Sequence, residues 1–384
     1  MSYNPRVSIM KKTLFLMLTL FVAANLSAEN LVLTNGTIID GTLKARFTGN
    51  VRIRDGKITD IGTFRPAQGE MVVDVKGLIV APGFVDLQNP AVGDAHVSQG
   101  ITTALLGSDG KGPYLVEQFM APFDEKTPAM NLTTLVGHAT VRRQIMGNDY
   151  QRAATPEEIG LMSELIEGAM REGAFGISSD LQSEPASFST KDELITLARS
   201  TARYGGFFSV RLRDDNEKVM ESLAEVIEIG RITKVRVQIS RVRLQSAVVL
   251  AAIDKARMEG VDVSADTSPS AELLSPEAEK DLRAFLVHPW VMIAGEGSFA
   301  RVLSYYVREQ KVIPLERAIR KMAGLPALRL GFEERGTLVK NGAADVVVFD
   351  AAAQPVGMKH VFVNGTMVVK DGQPTAERPG VALR

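Results

Sequence analysis

Four arginines at the ends of two apolar runs are the side chains in this sequence best suited to bind an anion. Arg211 and Arg213 close one run, and Arg241 and Arg243 follow the next. Side chains two residues apart lie on the same face of a strand, so each pair is expected to point one way. An arginine is always cationic and donates hydrogen bonds in a rigid fork that matches a carboxylate or a phosphate. We therefore expect a cationic cluster where the two runs end.

Two acids and a histidine follow other apolar runs in the same manner. Asp109 and Glu296 each come a few residues after such a run, and His138 and Arg142 follow a third. A buried acid without a cation is costly, so we expect the two acids to face the arginines. His138 and Arg142 are further candidates to line the same pocket, with a hydrogen-bonded structural histidine as the alternative.

These side chains need a scaffold that brings the ends of several apolar runs to one edge. Eight near-continuous apolar runs are typical of buried parallel strands, and helical patterns lie between several of them. Thr155 and Pro156 have the residue types of a helix start before the pattern over 159–171, and similar patterns cover 189–203 and 217–230. The eight runs cover residues 78–86, 101–106, 132–136, 175–178, 207–212, 235–239, 261–265 and 291–294.

Eight strand–helix units in roughly 250 residues predict an α/β fold with a (β/α)8 barrel, whose functional residues meet at the carboxyl ends of the strands. A doubly wound open sheet is the alternative. It is disfavoured because no glycine-rich phosphate loop follows the first run.

Both ends of the chain predict a small β-domain. Short apolar runs lead into turn dipeptides such as Asn35-Gly36 near the start and Asn364-Gly365 near the end. We expect residues 29–79 and 335–384 to form one small β-sandwich domain, and residues 80–334 to form the barrel.

The composition limits the kinds of site that the chain can build. The 384 residues are 45% hydrophobic, which is enough for a sizeable core. A net charge of -1 gives no reason to expect nucleic acid or an anionic membrane surface as a partner. With no cysteine and 4 histidines, a disulfide framework, a thiolate zinc site and a catalytic thiol are excluded, and an imidazole-rich metal site is hard to build.

The first residues predict export from the cytoplasm. Lys11 and Lys12 precede an apolar run, and small residues up to Ala28 offer a cleavage point, which is the pattern of a secretory signal peptide. The run is shorter than the about 20 residues that span a membrane. A buried helix is the alternative. We expect residues 1–28 to be removed, with translation starting at Met1 or Met10, and the mature protein to be periplasmic without a membrane span.

Nearly the whole mature chain resembles the D-aminoacylase branch, the N-acyl-D-amino-acid deacylases, of the amidohydrolase superfamily. The segment Val80-Ala81-Pro82-Gly83-Phe84-Val85-Asp86 looks like the first barrel strand of that superfamily. The resemblance implies zinc-assisted hydrolysis of linear amides, in which the metal polarises the carbonyl and activates water while a barrel aspartate handles protons. Other segments that carry the resemblance are 35–41, 99–103, 135–138, 146–147, 228–230, 237–240, 301–303 and 343–350.

The same resemblance implies that the metal-binding positions hold unsuitable or changed side chains. Zinc takes sulfur, imidazole or carboxylate ligands, and neither proline, glutamine nor arginine supplies them. We therefore expect no metal cofactor. The family's ligand positions are occupied by Gln88, Pro90, Asp109, Arg211 and Arg241, and its proton-handling aspartate by Glu296.

Three functions remain open at this point. The sequence favours a non-catalytic pseudoenzyme in which a salt-bridge network fills the former active site, and which binds a protein partner or forms a homo-oligomer. A second hypothesis is a binder of a small anionic ligand. The third is a hydrolase of the amide bonds of N-acyl amino acids, with Asp109, Glu296 or His138 in new roles. The residues expected to hold an anionic ligand are Arg211, Arg213, Arg241, Arg243, His138 and Arg142.

Overall fold

The computed structural model of the chain describes residues 30–88, 92–269, 275–295 and 297–384. The described residues form a (β/α)8 barrel and a mixed sheet built from both ends of the described chain, which confirms the predicted fold class.

Three sequence predictions lie outside the described residues. They concern the signal segment 1–28, Pro90 and Glu296. Within the described part of the chain, no helix is long and apolar enough to cross a membrane.

The first five strands belong to the mixed sheet. The first of them pairs antiparallel with the second and parallel with the fourth and fifth. The strands are β1 (Leu31–Ile38), β2 (Phe47–Arg54), β3 (Lys57–Gly62), β4 (Met71–Asp74) and β5 (Ile79–Pro82).

The next nine strands form the barrel, and all of their pairings are parallel. The third barrel strand is divided in two by Leu135, so nine segments supply eight barrel strands. The segments are β6 (Phe84–Asp86), β7 (Ile101–Leu106), β8 (Asn131–Thr134), β9 (Val136–Gly137), β10 (Gly176–Asp180), β11 (Phe207–Arg211), β12 (Arg236–Ile239), β13 (Val263–Thr267) and β14 (Val291–Ile293).

The last four strands return to the mixed sheet. The first of these pairs antiparallel with β5, with Val348 opposite Val80. This pairing joins the two ends of the described chain, and apolar side chains such as Leu33, Val51 and Phe362 are buried in a common core. The strands are β15 (Val346–Phe349), β16 (Met358–Val363), β17 (Thr366–Lys370) and β18 (Gln373–Pro374).

The helices surround the barrel and bury their apolar sides against its strands. The predicted helix start at Thr155 is confirmed, because its hydroxyl accepts from the Glu158 backbone while the Glu158 carboxylate accepts from the Thr155 backbone. The helices are α1 (Asp94–Val97), α2 (Val116–Glu125), α3 (His138–Met146), α4 (Pro156–Arg171), α5 (Lys191–Arg203), α6 (Val219–Thr233), α7 (Ser246–Met258), α8 (Pro276–Val287), α9 (Ser298–Arg301), α10 (Leu315–Ile319) and α11 (Leu325–Leu330), with 3-10 turn Ala186–Phe188 and π-helical segments Val302–Glu309 and Arg320–Gly324.

The first apolar run, expected as one barrel strand over 78–86, is two strands. It divides at Gly83, whose backbone N–H donates to Asp345 O at 2.9 Å. A Cβ atom at Gly83 would lie 2.2 Å from Thr102 Oγ1, so the close approach requires glycine. The chain leaves the mixed sheet and enters the barrel at this residue.

Candidate functional site

The carboxamide of Gln88 lies at the centre of a hydrogen-bond network at the carboxyl ends of the barrel strands. Gln88 is 5% exposed. Its Nε2 donates to Ser240 Oγ at 2.5 Å, and its Oε1 accepts from Ser108 Oγ and Arg241 Nε, both at 3.1 Å. A position that the resemblance assigns to a metal ligand therefore holds an amide whose donor and acceptor are both engaged.

Asp266, in β13, lies beside this amide and is also buried. Its Oδ1 accepts from the Arg241 backbone N–H at 3.0 Å, and its Oδ2 accepts from Gln238 Nε2 at 2.9 Å. Burial raises the pKa of Asp266 to about 6, although the hydrogen bonds from Arg241 and Gln238 favour its ionised form. A carboxyl group with such a pKa can exchange protons near neutral pH.

A chain of polar side chains connects Asp266 with the opposite end of the barrel. Gln238 Oε1 accepts from Ser264 Oγ at 2.7 Å, and Ser264 Oγ in turn accepts from Arg329 Nη2. Gln238 and Ser264 are not among the site residues predicted from the sequence. Their signal was a polar residue inside an apolar strand, because a buried polar group needs a hydrogen-bond partner.

The structure does not bring the four arginines together. Arg211 lies at the end of β11 with Nη1 3.7 Å from Asp180 Oδ2. Arg213 instead turns outward, where it donates to both Glu225 carboxylate oxygens at 3.0–3.1 Å. Arg243 is exposed. The expected four-arginine cluster is therefore wrong. β11 ends at Arg211 and β12 ends at Ile239, so strand alternation does not carry over to the arginines that follow each strand.

Asp109 is half-buried and lines a cavity of about 410 Å³ at the barrel mouth. Ser108, Arg241 and the aromatic side chains of Phe119 and Phe123 line the same cavity. The guanidinium of Arg241 hydrogen-bonds to the Gln88 carboxamide and not to Asp109. The cavity thus offers a cation, a hydroxyl group and an apolar wall.

His138 and Arg142 lie in a separate buried network and do not line the cavity. His138 Nε2 is 2.8 Å from Glu193 Oε1, and its Nδ1 is 2.8 Å from Ser179 Oγ. Arg142 also donates to the Glu193 carboxylate. Burial acts to raise the pKa of Glu193, but the hydrogen bonds and charges of His138 and Arg142 hold that pKa below its usual value. The network ties α3 to α5 and β10, which is a structural role.

Comparisons with known proteins extend over nearly the whole chain. No family model matches it. It is similar to the D-aminoacylase of Alcaligenes xylosoxydans xylosoxydans, with 29% identity over 471 aligned positions that cover 92% of this chain and 97% of the relative. The N-acyl-D-glutamate deacylase of the same organism is 28% identical over 92% of this chain and 96% of its own.

Solved structures agree with these relatives. The N-acyl-D-glutamate deacylase from Bordetella bronchiseptica, complexed with zinc and a phosphonate inhibitor, has a TM-score of 0.83 at 29% identity over 93% of this chain and 99% of its own. A D-aminoacylase structure has a TM-score of 0.83 at 27% identity over 92% of this chain and 99% of its own. A D-hydantoinase shares the fold, with a TM-score of 0.71 at 16% identity over 92% of this chain and 98% of its own.

The donor chemistry at the mouth does not fit the zinc found in the deacylase complex. Gln88 offers only an amide that is already hydrogen-bonded, and Arg211 and Arg241 repel a cation. No group of three or more histidine, aspartate or glutamate side chains among the described residues could hold a metal ion. Of the described ligand positions only Asp109 supplies a carboxylate, and a zinc site needs three or four such carboxylate or imidazole ligands.

Proposed function

We propose that this chain, which is similar to D-aminoacylases and N-acyl-D-glutamate deacylases over nearly its whole length, binds N-acyl amino acids or similar small carboxylates at the barrel mouth without zinc-dependent hydrolysis. The ligand class is supported by the names of the relatives. The loss of zinc chemistry is supported by the carboxamide of Gln88, which is hydrogen-bonded to Arg241 where the resemblance places a metal ligand.

The contacts of Arg241 support carboxylate binding. Within the described residues, its guanidinium hydrogen-bonds only through Nε, so its two terminal amino groups are available for a bidentate carboxylate. Ser108 adds a hydroxyl group to the same cavity, and Phe119 and Phe123 offer apolar surface to an acyl chain. A charged head beside an apolar tail is the chemical character of an N-acyl amino acid.

Hydrolysis without a metal is the second candidate, and the raised pKa of Asp266 favours it. In that reaction the ionised Asp266 takes a proton from a water molecule, whose oxygen attacks the acyl carbonyl carbon. The carbon–nitrogen bond then breaks, and the proton passes to the leaving amine. The names of the relatives support amide hydrolysis more directly than they support a loss of activity. Against it, Asp266 is buried, which opposes access of water and substrate to its carboxyl group.

Two experiments test both candidates. Titration calorimetry measures the binding of N-acyl-D-amino acids, and an assay of released amine measures their hydrolysis. Each is run once with zinc and once with a chelator. We expect binding without product, and at least about tenfold weaker binding in Arg241→Met, because a hydrogen bond to a charged group contributes about 1.5–3 kcal/mol. The matched control Arg243→Met, at an exposed arginine two residues away, should bind like the wild type.

The outcomes separate the candidates. Zinc-dependent release of amine would contradict the proposal. Release that survives chelation and disappears in Asp266→Asn would establish the second candidate. Equal binding by both arginine variants would remove Arg241 from the site.

We also propose that residues 1–28 direct export to the periplasm, based on the lysines, the apolar run and the small residues near Ala28. Mass spectrometry of protein isolated from the producing cell should find a new amino terminus after about residue 28. An intact amino-terminal segment on the purified protein would contradict export by this route.

A further inference from the structure

A groove with an apolar floor runs along the outer surface of the barrel between α6 and α7. The strands that precede these helices, β11 and β12, are parallel neighbours, so the two helices lie side by side and run in the same direction. The groove has a volume of about 810 Å³. Alanines line its α7 side, and their short side chains leave the space between the helices open. They are Ala247, Ala251, Ala252 and Ala256.

The two most exposed large apolar side chains of the described residues lie on this helix pair. Met220, in the first turn of α6, is 62% exposed and lines the groove. Met258, the last residue of α7, is 82% exposed and lies seven residues after Ala251, on the same face of the helix. Ile232, near the end of α6, also lines the groove and is 45% exposed. An exposed apolar surface with a charged rim is typical of a protein interaction site.

The charges on the outward side of α6 change sign along the helix. Glu221 lies in the first turn and Arg231 in the last turn. Arg231 lines the groove, and Glu221 borders an adjoining cavity together with Ala224 and Glu228, which both line the groove as well. Arg231 pairs with Glu259 of the same chain and stays 47% exposed. The helix therefore presents an acidic end, an apolar middle and a basic end to the solvent.

We propose that this groove is the interface of a homodimer, in which a second copy of the chain docks with its α6 antiparallel to the first. A two-fold axis near Val226 places Glu221 against Arg231 of the second copy, because both lie five residues from Val226. The same axis places Met220 against Ile232 of the second copy, since both lie six residues from Val226. Opposite charges and apolar side chains therefore meet in pairs, and each pair occurs twice. The interface does not depend on the function proposed for the mouth, because it lies on the outer faces of the helices.

Sedimentation of the full chain over a range of concentrations tests the proposal. We expect a species of twice the mass of one chain, whose share rises with concentration. Ala251→Glu places a carboxylate in the groove and should weaken dimerisation by at least about tenfold, because the core of an interface excludes unpaired charges. Ala251 is exposed, so the variant should fold. The matched control Ala376→Glu, at an exposed alanine that follows β18, should dimerise like the wild type.

Charge reversal tests the antiparallel arrangement. Glu221→Arg and Arg231→Glu should each weaken dimerisation by about tenfold, because each variant creates two contacts between like charges in the dimer. The double variant restores opposite charges and should dimerise like the wild type. A monomer at every concentration would overturn the proposal and assign the groove to a different protein. A dimer that tolerates Ala251→Glu, or one that the double variant weakens more than either single variant, would also overturn it.

Discussion

Replacing Asp266 with asparagine should change how the stability of the protein depends on pH. Burial raises the pKa of this carboxyl group from 3.8 to about 6. A difference of about two pKa units corresponds to about 3 kcal/mol between its protonation states. Below about pH 4 the group is protonated in both the folded and the unfolded protein, so it costs nothing. As the pH rises from about 4 to 7, ionisation of the buried group lowers the free energy of unfolding by about 3 kcal/mol.

The asparagine variant lacks this titration but loses a hydrogen bond. Asp266 accepts from the Arg241 backbone and from Gln238, and an asparagine side chain can accept through one atom only. That mismatch costs about 1–3 kcal/mol at every pH. The variant should therefore be less stable than the wild type at pH 4, and its relative stability should rise by about 3 kcal/mol toward pH 7.

Urea unfolding of both proteins between pH 4 and 8, at constant ionic strength, measures this difference. Glu70→Gln is a control of opposite sign. A hydrogen bond from the Ala67 backbone, with further bonds from Arg54 and Arg52, lowers the pKa of Glu70 to about 2. Its ionised form stabilises the protein above pH 4.5, and this stabilisation is lost as the pH falls toward 2. The control should lose most stability, relative to wild type, near pH 7.

A difference between wild type and Asp266→Asn that stays constant from pH 4 to 8 would refute the reasoning. It would mean that the carboxyl group is solvated or that its hydrogen bonds fully offset burial. A difference that grows in the opposite direction would mean that the pKa of Asp266 is lowered in the folded protein.

Three further predictions follow from the same networks. Arg241→Met should lower the free energy of unfolding by about 1–3 kcal/mol, because the Gln88 carboxamide loses one charged donor. Urea unfolding measures this loss, and a much larger loss would indicate that Arg241 belongs to a buried ion pair. Glu193→Gln should cost about 3–5 kcal/mol, since Arg142 and His138 are left in a buried site without their carboxylate. Calorimetry that finds less than 1 kcal/mol would show that the network is hydrated. Chelator treatment should leave the melting temperature unchanged, and a one-to-one zinc content by elemental analysis would contradict this.

Much of the scaffold was predictable because its signals are local. Near-continuous apolar runs identified the barrel strands, and the residue types at Thr155 and Glu158 form the capping box that begins α4. The division at Gly83 was not predictable in this way. It depends on Asp345 and Thr102, which are distant in the sequence and reach Gly83 only in the folded protein.

The candidate site shows the same limit at the level of side chains. The sequence by itself determined the donor chemistry, because a glutamine amide is a poor zinc ligand and an arginine is a permanent cation that offers only donors. It did not determine which groups would meet. Arg213 pairs with Glu225 and not with the mouth, because strand alternation ends with the strand.

Only the tertiary structure decided that Gln88 bonds to Ser240 and Arg241, which lie more than 150 residues away. It also decided that Asp266 is buried and titrates near pH 6. The physical reason is that residue type fixes charge and hydrogen-bonding capacity, whereas partners, burial and pKa depend on how the remote segments of the chain pack together.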